Sequence, residues 1–197
     1  MIMNSNETTS VVLVGVGGQG ILLGSEIVAR AAMAAGYQVK TNEVHGMAQR
    51  GGSVIAQIRY GREVFSPLVA EGTAKVLGAF EEVEALRFAQ YLAPDGLAVV
   101  SSQAIVPVTV SMGAGKYPND MPERLKAVFP KLAYLDASQI AMELGTVKAA
   151  NVVILGAMSK GLDLPIEAWE KAIVASVKEK FRDLNLKAFH AGRDAVC

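Results

Sequence analysis

Residues 11–20, VVLVGVGGQG, run directly into Ile21, Leu22 and Leu23, and the rest of the chain must pack around this stretch. Val11, Val12, Leu13 and Val14 carry no charge and read as a buried strand; Gly15, Gly17, Gly18 and Gly20 then turn the chain sharply into a helix. Gly15, Gly17 and Gly20 satisfy the spacing G-x-G-x-x-G. In a dinucleotide-binding fold the first glycine makes the tight turn, the second lets backbone approach a pyrophosphate, and the third lets helix and strand pack closely. Amides at the helix start face the anion, and Glu43 lies near the distance, about 20 residues on, expected of a ribose-binding carboxylate. Gly15, Gly17, Gly20 and Glu43 are thus one candidate cofactor site. Any strand that turns tightly into a helix packed against it needs the same glycines.

At 197 residues the chain suffices for one α/β domain with a sizeable core, and no repeat or long linker divides it. The expected division is a disordered lead over residues 1–10, a domain over 11–184, and a C-terminal tail over 185–197 in which His190 and Arg193 are assigned no role. Hydrophobic residues make up 51% of the chain and mean hydropathy is +0.31. With no membrane segment in the sequence, the surplus points to burial against another subunit or a second copy. Charges balance at 19 basic and 19 acidic residues, which argues against nucleic acid and anionic membranes as partners. Cys197 is the single cysteine, so no internal disulfide or thiolate cluster can form, and a reducing cytoplasm is the expected setting.

Helical spacing of Leu23, Ile27, Val28 and Ala31 predicts a helix over about 19–35, stopped by Gly36. Residues 37–41 read as the second strand and 42–52 as a loop. Residues 53–60 alternate as a half-buried strand, and Gly61-Arg62 fits a two-residue hairpin turn into 63–65. A strand is expected over 75–80, a helix over 81–92, a turn at Pro94-Asp95-Gly96, and strands over 97–101 and 132–135. Asn119 or Asp120 can cap a helix over 123–129, and Asp136 with Gln139 resembles a capping box. Residues 149–158 read as a buried helix; Pro165 opens the last helix, with Ile166, Trp169, Ile173 and Val177 as its apolar stripe. The fold class is α/β: a single Rossmann-like layered domain with a mainly parallel sheet and an inserted antiparallel hairpin.

The second informative stretch is Glu43-Val44-His45-Gly46-Met47-Ala48-Gln49-Arg50-Gly51-Gly52. An arginine beside paired glycines presents a planar guanidinium and bare amides to a carboxylate or phosphate. A loop after the second strand of an α/β sheet lies near the glycine loop, so the two motifs are expected to meet. His45 alone reads most simply as a hydrogen-bonding loop residue, since no base-orienting partner accompanies it. Glu81, Glu82 and Glu84 read as a favourable first helical turn. Ser101, Ser102 and Ser138 have no histidine beside them in sequence, and no catalytic residue is assigned.

Together GVGGQGILLGSEI, EVHGMAQRGGSVIAQIRYG and SPLVAEG resemble the gamma subunits or domains of 2-oxoacid:ferredoxin oxidoreductases, in particular the beta subunits of indolepyruvate:ferredoxin oxidoreductases. The likeness continues through KVLGAFEEVEALR, VPVTV, KYP and AANVVILGAMSKGL; HGMAQRGG is its specific part. The resemblance implies a division of labour. A partner subunit holds thiamine diphosphate, Mg and the 4Fe–4S clusters, coenzyme A is co-substrate, and ferredoxin is reached through the complex. This chain binds no cofactor alone. One surface edge, made of Gly17, Gly18, Gln19 and Gly20 with His45, Gly46, Met47, Gln49, Arg50, Gly51 and Gly52, is then expected to contact the partner or a small anion.

Overall fold

The computed structural model describes residues 8–46, 51–108 and 110–196. Its centre is β1 (Thr9–Val16), whose residues Val11, Val12, Leu13 and Val14 are fully buried. Successive side chains of a strand point to opposite faces. Val11 and Leu13 accordingly join one apolar cluster and Val12 and Val14 another. The chain continues through α1 (Ile21–Ala34), β2 (Gln38–His45), β3 (Ser53–Gly61), β4 (Ala74–Ala79), α2 (Glu82–Arg87), β5 (Leu92–Ser101), α3 (Met121–Val128) and β6 (Leu132–Leu135). The last third is helical: α4 (Ala137–Glu143), α5 (Ala150–Met158), α6 (Ile166–Ser176) and α7 (Arg182–Asp194).

The six strands lie in the order β2-β3-β1-β4-β5-β6. β1, β4, β5 and β6 are mutually parallel in sequence along the sheet, while β3 is antiparallel to both β1 and β2. Residues of α1, α5, α6 and α7 fill the cluster on one face; α2 and α3 cover the other. This is the α/β domain with an antiparallel insertion that the alternating pattern implies, but the insertion is built differently. β2 runs on to His45, each residue to that point paired with β3, so residues 42–45 are strand rather than loop. Residues 46–52 are the connection from β2 to β3, and 62–65 form no strand. The chain just after it is fastened by β3 side chains: Arg59 donates to the Ser66 carbonyl (3.1 Å), and the Val69 amide donates to Gln57 (2.6 Å). β3 is consequently buried on both faces, not half-buried.

The helix expected over 81–92 stops at Arg87, and Leu92 already belongs to β5. Pro94, Asp95 and Gly96 keep their turn chemistry as an irregularity inside that strand, where Ala74 pairs with Leu92 but Val76 with Leu97. Asp136 caps α4 by accepting from the Gln139 amide at 2.8 Å. The largest departure is at the C-terminus. Residues expected as a tail form α7, whose Phe189 is fully buried and stacks on Trp169 at 5.7 Å between ring centroids. α7 crosses α5 backbone to backbone: a Cβ at Gly192 would collide with the Val153 carbonyl and one at Gly156 with the Phe189 carbonyl. Only glycine at both positions permits that approach. At the other end, β1 begins at Thr9 and buries Ser10, inside the stretch expected as a lead.

Replacing Gly192 by alanine should destabilise the isolated chain by about 1–3 kcal/mol or more, since the colliding atoms are backbone. The denaturant midpoint measures it; an unchanged midpoint would refute the close crossing.

Candidate functional site

The glycine turn and the hairpin loop do meet. The Gly17 amide donates to the Gly52 carbonyl at 2.8 Å and the Gly51 amide returns to the Gly17 carbonyl at 3.3 Å, while the Gly46 amide closes on the Ser53 carbonyl at 3.1 Å. Because Val16 already pairs with Ser53, these bonds prolong the β1–β3 ladder into the turn, and Gly51 takes the positive φ of 78° that the closure needs. His45 and Gly46 are exposed at the end of β2. Met47, Gln49 and Arg50, expected on the same edge, lie outside the described residues.

Gln19, expected as an outward contact residue, turns its amide inward. Its Oε1 accepts from the Val16 amide at 2.7 Å, and its Nε2 donates to the Phe80 carbonyl at 2.6 Å and to Gln103 Oε1 at 3.0 Å. One side chain thereby ties together the carboxyl ends of β1, β4 and β5. The glycine spacing follows from packing around it. A Cβ at Gly15 would stand 2.7 Å from Gln19 Oε1 and 3.0 Å from Phe80 Cβ; one at Gly20, whose φ is 82°, would stand 2.6 Å from Asn151 Nδ2. Gly18 has open space and needs glycine only for its φ of 107°.

For the dinucleotide alternative the geometry is unlike the usual one. The Val16 and Gly17 amides already have acceptors within the chain. Glu43 stands on β2, level with Leu13 but separated from β1 by β3, a displacement of roughly 10 Å for two interstrand spacings. Beside the turn is an open cleft of about 500 Å³ bordered by Gly18, Gly20, Ser101, Lys148 and Asn151. α1 begins there without a side-chain cap, whereas at the start of α5 the Ala150 amide bonds the Val147 carbonyl and the Val152 amide bonds Asn151 Oδ1 at 2.9 Å; Lys148 also borders the space.

Glu81, Glu82 and Glu84 stand at the N-cap and in the first turn of α2, as expected, and all three are buried there. Glu81 caps α2 by accepting from the Glu84 amide (2.9 Å), and also takes the Ile105 amide (3.3 Å) and the Tyr117 hydroxyl (2.5 Å). Glu82 accepts from the hydroxyls of Tyr134 (2.9 Å) and Tyr117 (3.3 Å). Glu84 accepts from the Ser53 hydroxyl at the base of the hairpin loop and pairs with Arg87 at 3.2 Å. Burial raises the Glu84 carboxyl above its ordinary value, with the Ser53 bond and Arg87 opposing. Burial, then the bond to Glu82, pushes Tyr134 up to about 12, and burial with Glu81 raises Tyr117 further. Glu81-Glu82 and Glu84 flank apolar Val83 in the sequence, a hint of burial, but Tyr117 and Tyr134 are too distant along the chain to be foreseen as partners. Among the described residues no group of three histidine, cysteine or carboxylate side chains is placed to hold a metal ion, and no helix is long and apolar enough to cross a membrane. The bonds of Glu81, Glu82 and Glu84 to distant amides and hydroxyls make this constellation suited to holding loops.

Two outcomes test this geometry. Gln19→Leu should cost the isolated chain about 1–3 kcal/mol, because the Val16 amide and Phe80 carbonyl lose their partner; a purely outward contact residue would leave the unfolding midpoint unchanged. For Glu84 the folded state holds the proton more tightly than the unfolded state, so its contribution to stability falls as pH rises from the unfolded carboxylate pKa through the higher folded one. Wild type should therefore lose stability relative to Glu84→Gln across that interval, read from paired denaturation curves; a difference independent of pH would contradict it.

Residues 10–195 match the family model described as pyruvate ferredoxin/flavodoxin oxidoreductase. The chain is 46% identical over 187 residues to the indolepyruvate oxidoreductase subunit IorB of Archaeoglobus fulgidus, covering 93% of this chain and 92% of that one. It is 44% identical over 192 residues to IorB of Thermococcus kodakarensis, covering 95% of each. A ketoisovalerate oxidoreductase subunit, VorA of Methanothermobacter thermautotrophicus, is 32% identical, but the match spans 92% of this chain and only 35% of that one. Among solved structures, the keto/oxoacid ferredoxin oxidoreductase gamma subunit of Geobacter sulfurreducens superposes with a TM-score of 0.70 at 25% identity, covering 95% and 97% of the two chains. The pyruvate oxidoreductase subunit PORC of Thermotoga maritima shares the fold, with a TM-score of 0.73 at 22% identity over 96% and 97%. By sequence along nearly its whole length, and by fold, the chain belongs to the pyruvate ferredoxin/flavodoxin oxidoreductase family, among its gamma-type and indolepyruvate-type subunits.

Proposed function

We propose that this chain is the cofactor-free subunit of a cytoplasmic 2-oxoacid:ferredoxin oxidoreductase acting on an aryl pyruvate such as indolepyruvate. The reaction cleaves the bond between the keto carbon and the carboxylate and releases carbon dioxide. The acyl group passes to the coenzyme A sulfur, a proton is released, and the electron pair goes to ferredoxin. Thiamine diphosphate, Mg and 4Fe–4S clusters belong to the partner subunit. The contribution of this chain is a preorganised edge that contacts that partner or a small anion beside it, made of Gly17, Gly18, Gln19, Gly20 and the hairpin residues His45, Gly46, Met47, Gln49, Arg50, Gly51 and Gly52. In that edge Gln19 acts as the internal brace.

The observation that carries this reading is the backbone clasp between Gly17 and Gly51-Gly52. It joins the glycine turn to Gly51 and Gly52, bringing together the two stretches that carry the resemblance. The same clasp, with the brace from Gln19, occupies amides that a pyrophosphate would need, and this favours the subunit over a free-standing dinucleotide-binding oxidoreductase built on Gly15, Gly17, Gly20 and Glu43.

Anaerobic co-expression with the subunit encoded to carry thiamine diphosphate, followed by affinity purification on this chain, tests the proposal. The expected eluate is brown and reduces viologen with indolepyruvate and coenzyme A, while the chain alone is inert. A colourless eluate holding only this chain would overturn the reading. Arg50→Ala should lower complex recovery or turnover several-fold, by about the 1–2 kcal/mol of a contact residue; unchanged yield and activity would remove the hairpin from the contact edge.

A further inference from the structure

No charged residue occurs between Asp95 and Lys116, and the latter part of that span is AIVPVTVSMGAG, of which residues 104–107 follow β5 without regular structure and Val110–Ala114 form a short helical turn. Val106, Val108 and Met112 are 46, 73 and 81% exposed. A solvent-facing loop this apolar and uncharged is unusual for a surface without a partner. Both of its stems are fastened at one buried group: Glu81 Oε1 accepts from the Ile105 amide at the start of the loop and from the Tyr117 hydroxyl at its end. The Ser111 amide bonds the Pro107 carbonyl at 3.0 Å across the tip. Polar bonds at the stems thus hold the apolar tip out from the core. The loop also continues the edge described above, because Gln103 in its first stem bonds Gln19 in the glycine turn.

We propose that this loop, braced by Glu81, is a second docking element through which the chain seats on its heteromeric partner subunit. The inference rests on the subunit reading and extends it to a surface outside the glycine turn and hairpin. The occupant follows from the relatives. The domain stands alone in the chains that match along their full length, yet forms only about a third of the ketoisovalerate subunit. The remaining two-thirds of that longer polypeptide is the kind of chain that this domain meets there, and the kind of partner surface proposed for the loop. The receiving surface is apolar and uncharged, since a charge placed against this loop would lose its hydration without gaining a counter-charge. Holding the tip ready through Glu81 reduces the ordering cost of association.

The test uses Val108→Asp and Met112→Asp, separately and together, in the full chain co-expressed with the partner. Both side chains are exposed, so each variant should melt with the wild-type chain. Recovery of the complex should fall roughly tenfold or more for the double variant, while Val108→Ile and Met112→Leu retain it. Wild-type recovery with the double variant would overturn the loop's role and leave the subunit reading intact. Loss of self-association in light scattering, with the heteromer still recovered, would assign the loop to a second copy and overturn the proposal. Failure of the wild-type chain to recover any partner would overturn both.

Discussion

The structure depends on burying β1 on both faces at once. Val11, Val12, Leu13 and Val14 contribute alternately to two apolar clusters, so helices must cover each side of the sheet. Fully buried backbone must also find hydrogen-bond partners on both edges, and β1 finds them in β3 and β4. Once those neighbours are in place, the carboxyl ends of β1, β4 and β5 converge at one edge of the molecule. The polar groups released there, among them the Phe80 carbonyl and the Val16 amide, are gathered by the single amide of Gln19.

That gathering ties the strand ends to the segments beside them. One loop is clasped to the glycine turn by backbone bonds, and the other is pinned at Glu81. Glu84 links the first to α2 through Ser53, and Glu82 receives the hydroxyls of Tyr117 and Tyr134. Buried carboxylates are tolerated because hydroxyls, amides and Arg87 satisfy them. Their geometry holds the chain around Tyr117, Tyr134 and Ile105 against α2.

Much of the fold was legible because it rests on periodicity. The uncharged β1, the helix after the glycines, β4, β6, the Asp136 cap and the largely apolar α5 each carry a local signal. The hairpin was legible in kind but not in place: Gly61-Arg62 looked like its turn, whereas the β2–β3 ladder extends to His45 because cross-strand bonding outweighs the loop-like composition of residues 42–45. α7 was missed for a related reason. Its apolar positions are few, and its stability comes from the Gly156–Gly192 crossing and the Trp169–Phe189 stack, pairs separated too widely in sequence to announce themselves. In the site, the meeting of the glycine turn with Gly51 and Gly52 followed from strand order, while the inward turn of Gln19 had no sequence signal.

The class of fold, the position of the glycine turn and, through HGMAQRGG and its companions, the family can be read from residue order alone. These are local properties, written in spacing and residue type. Only tertiary structure decided that β3 stands between β1 and Glu43, that the glycines make room for Gln19 and Asn151, and that three glutamates are buried anchors for distant tyrosines and loops. Each of those outcomes depends on contacts between residues tens of positions apart, where burial and hydrogen-bond satisfaction, not local preference, select the arrangement.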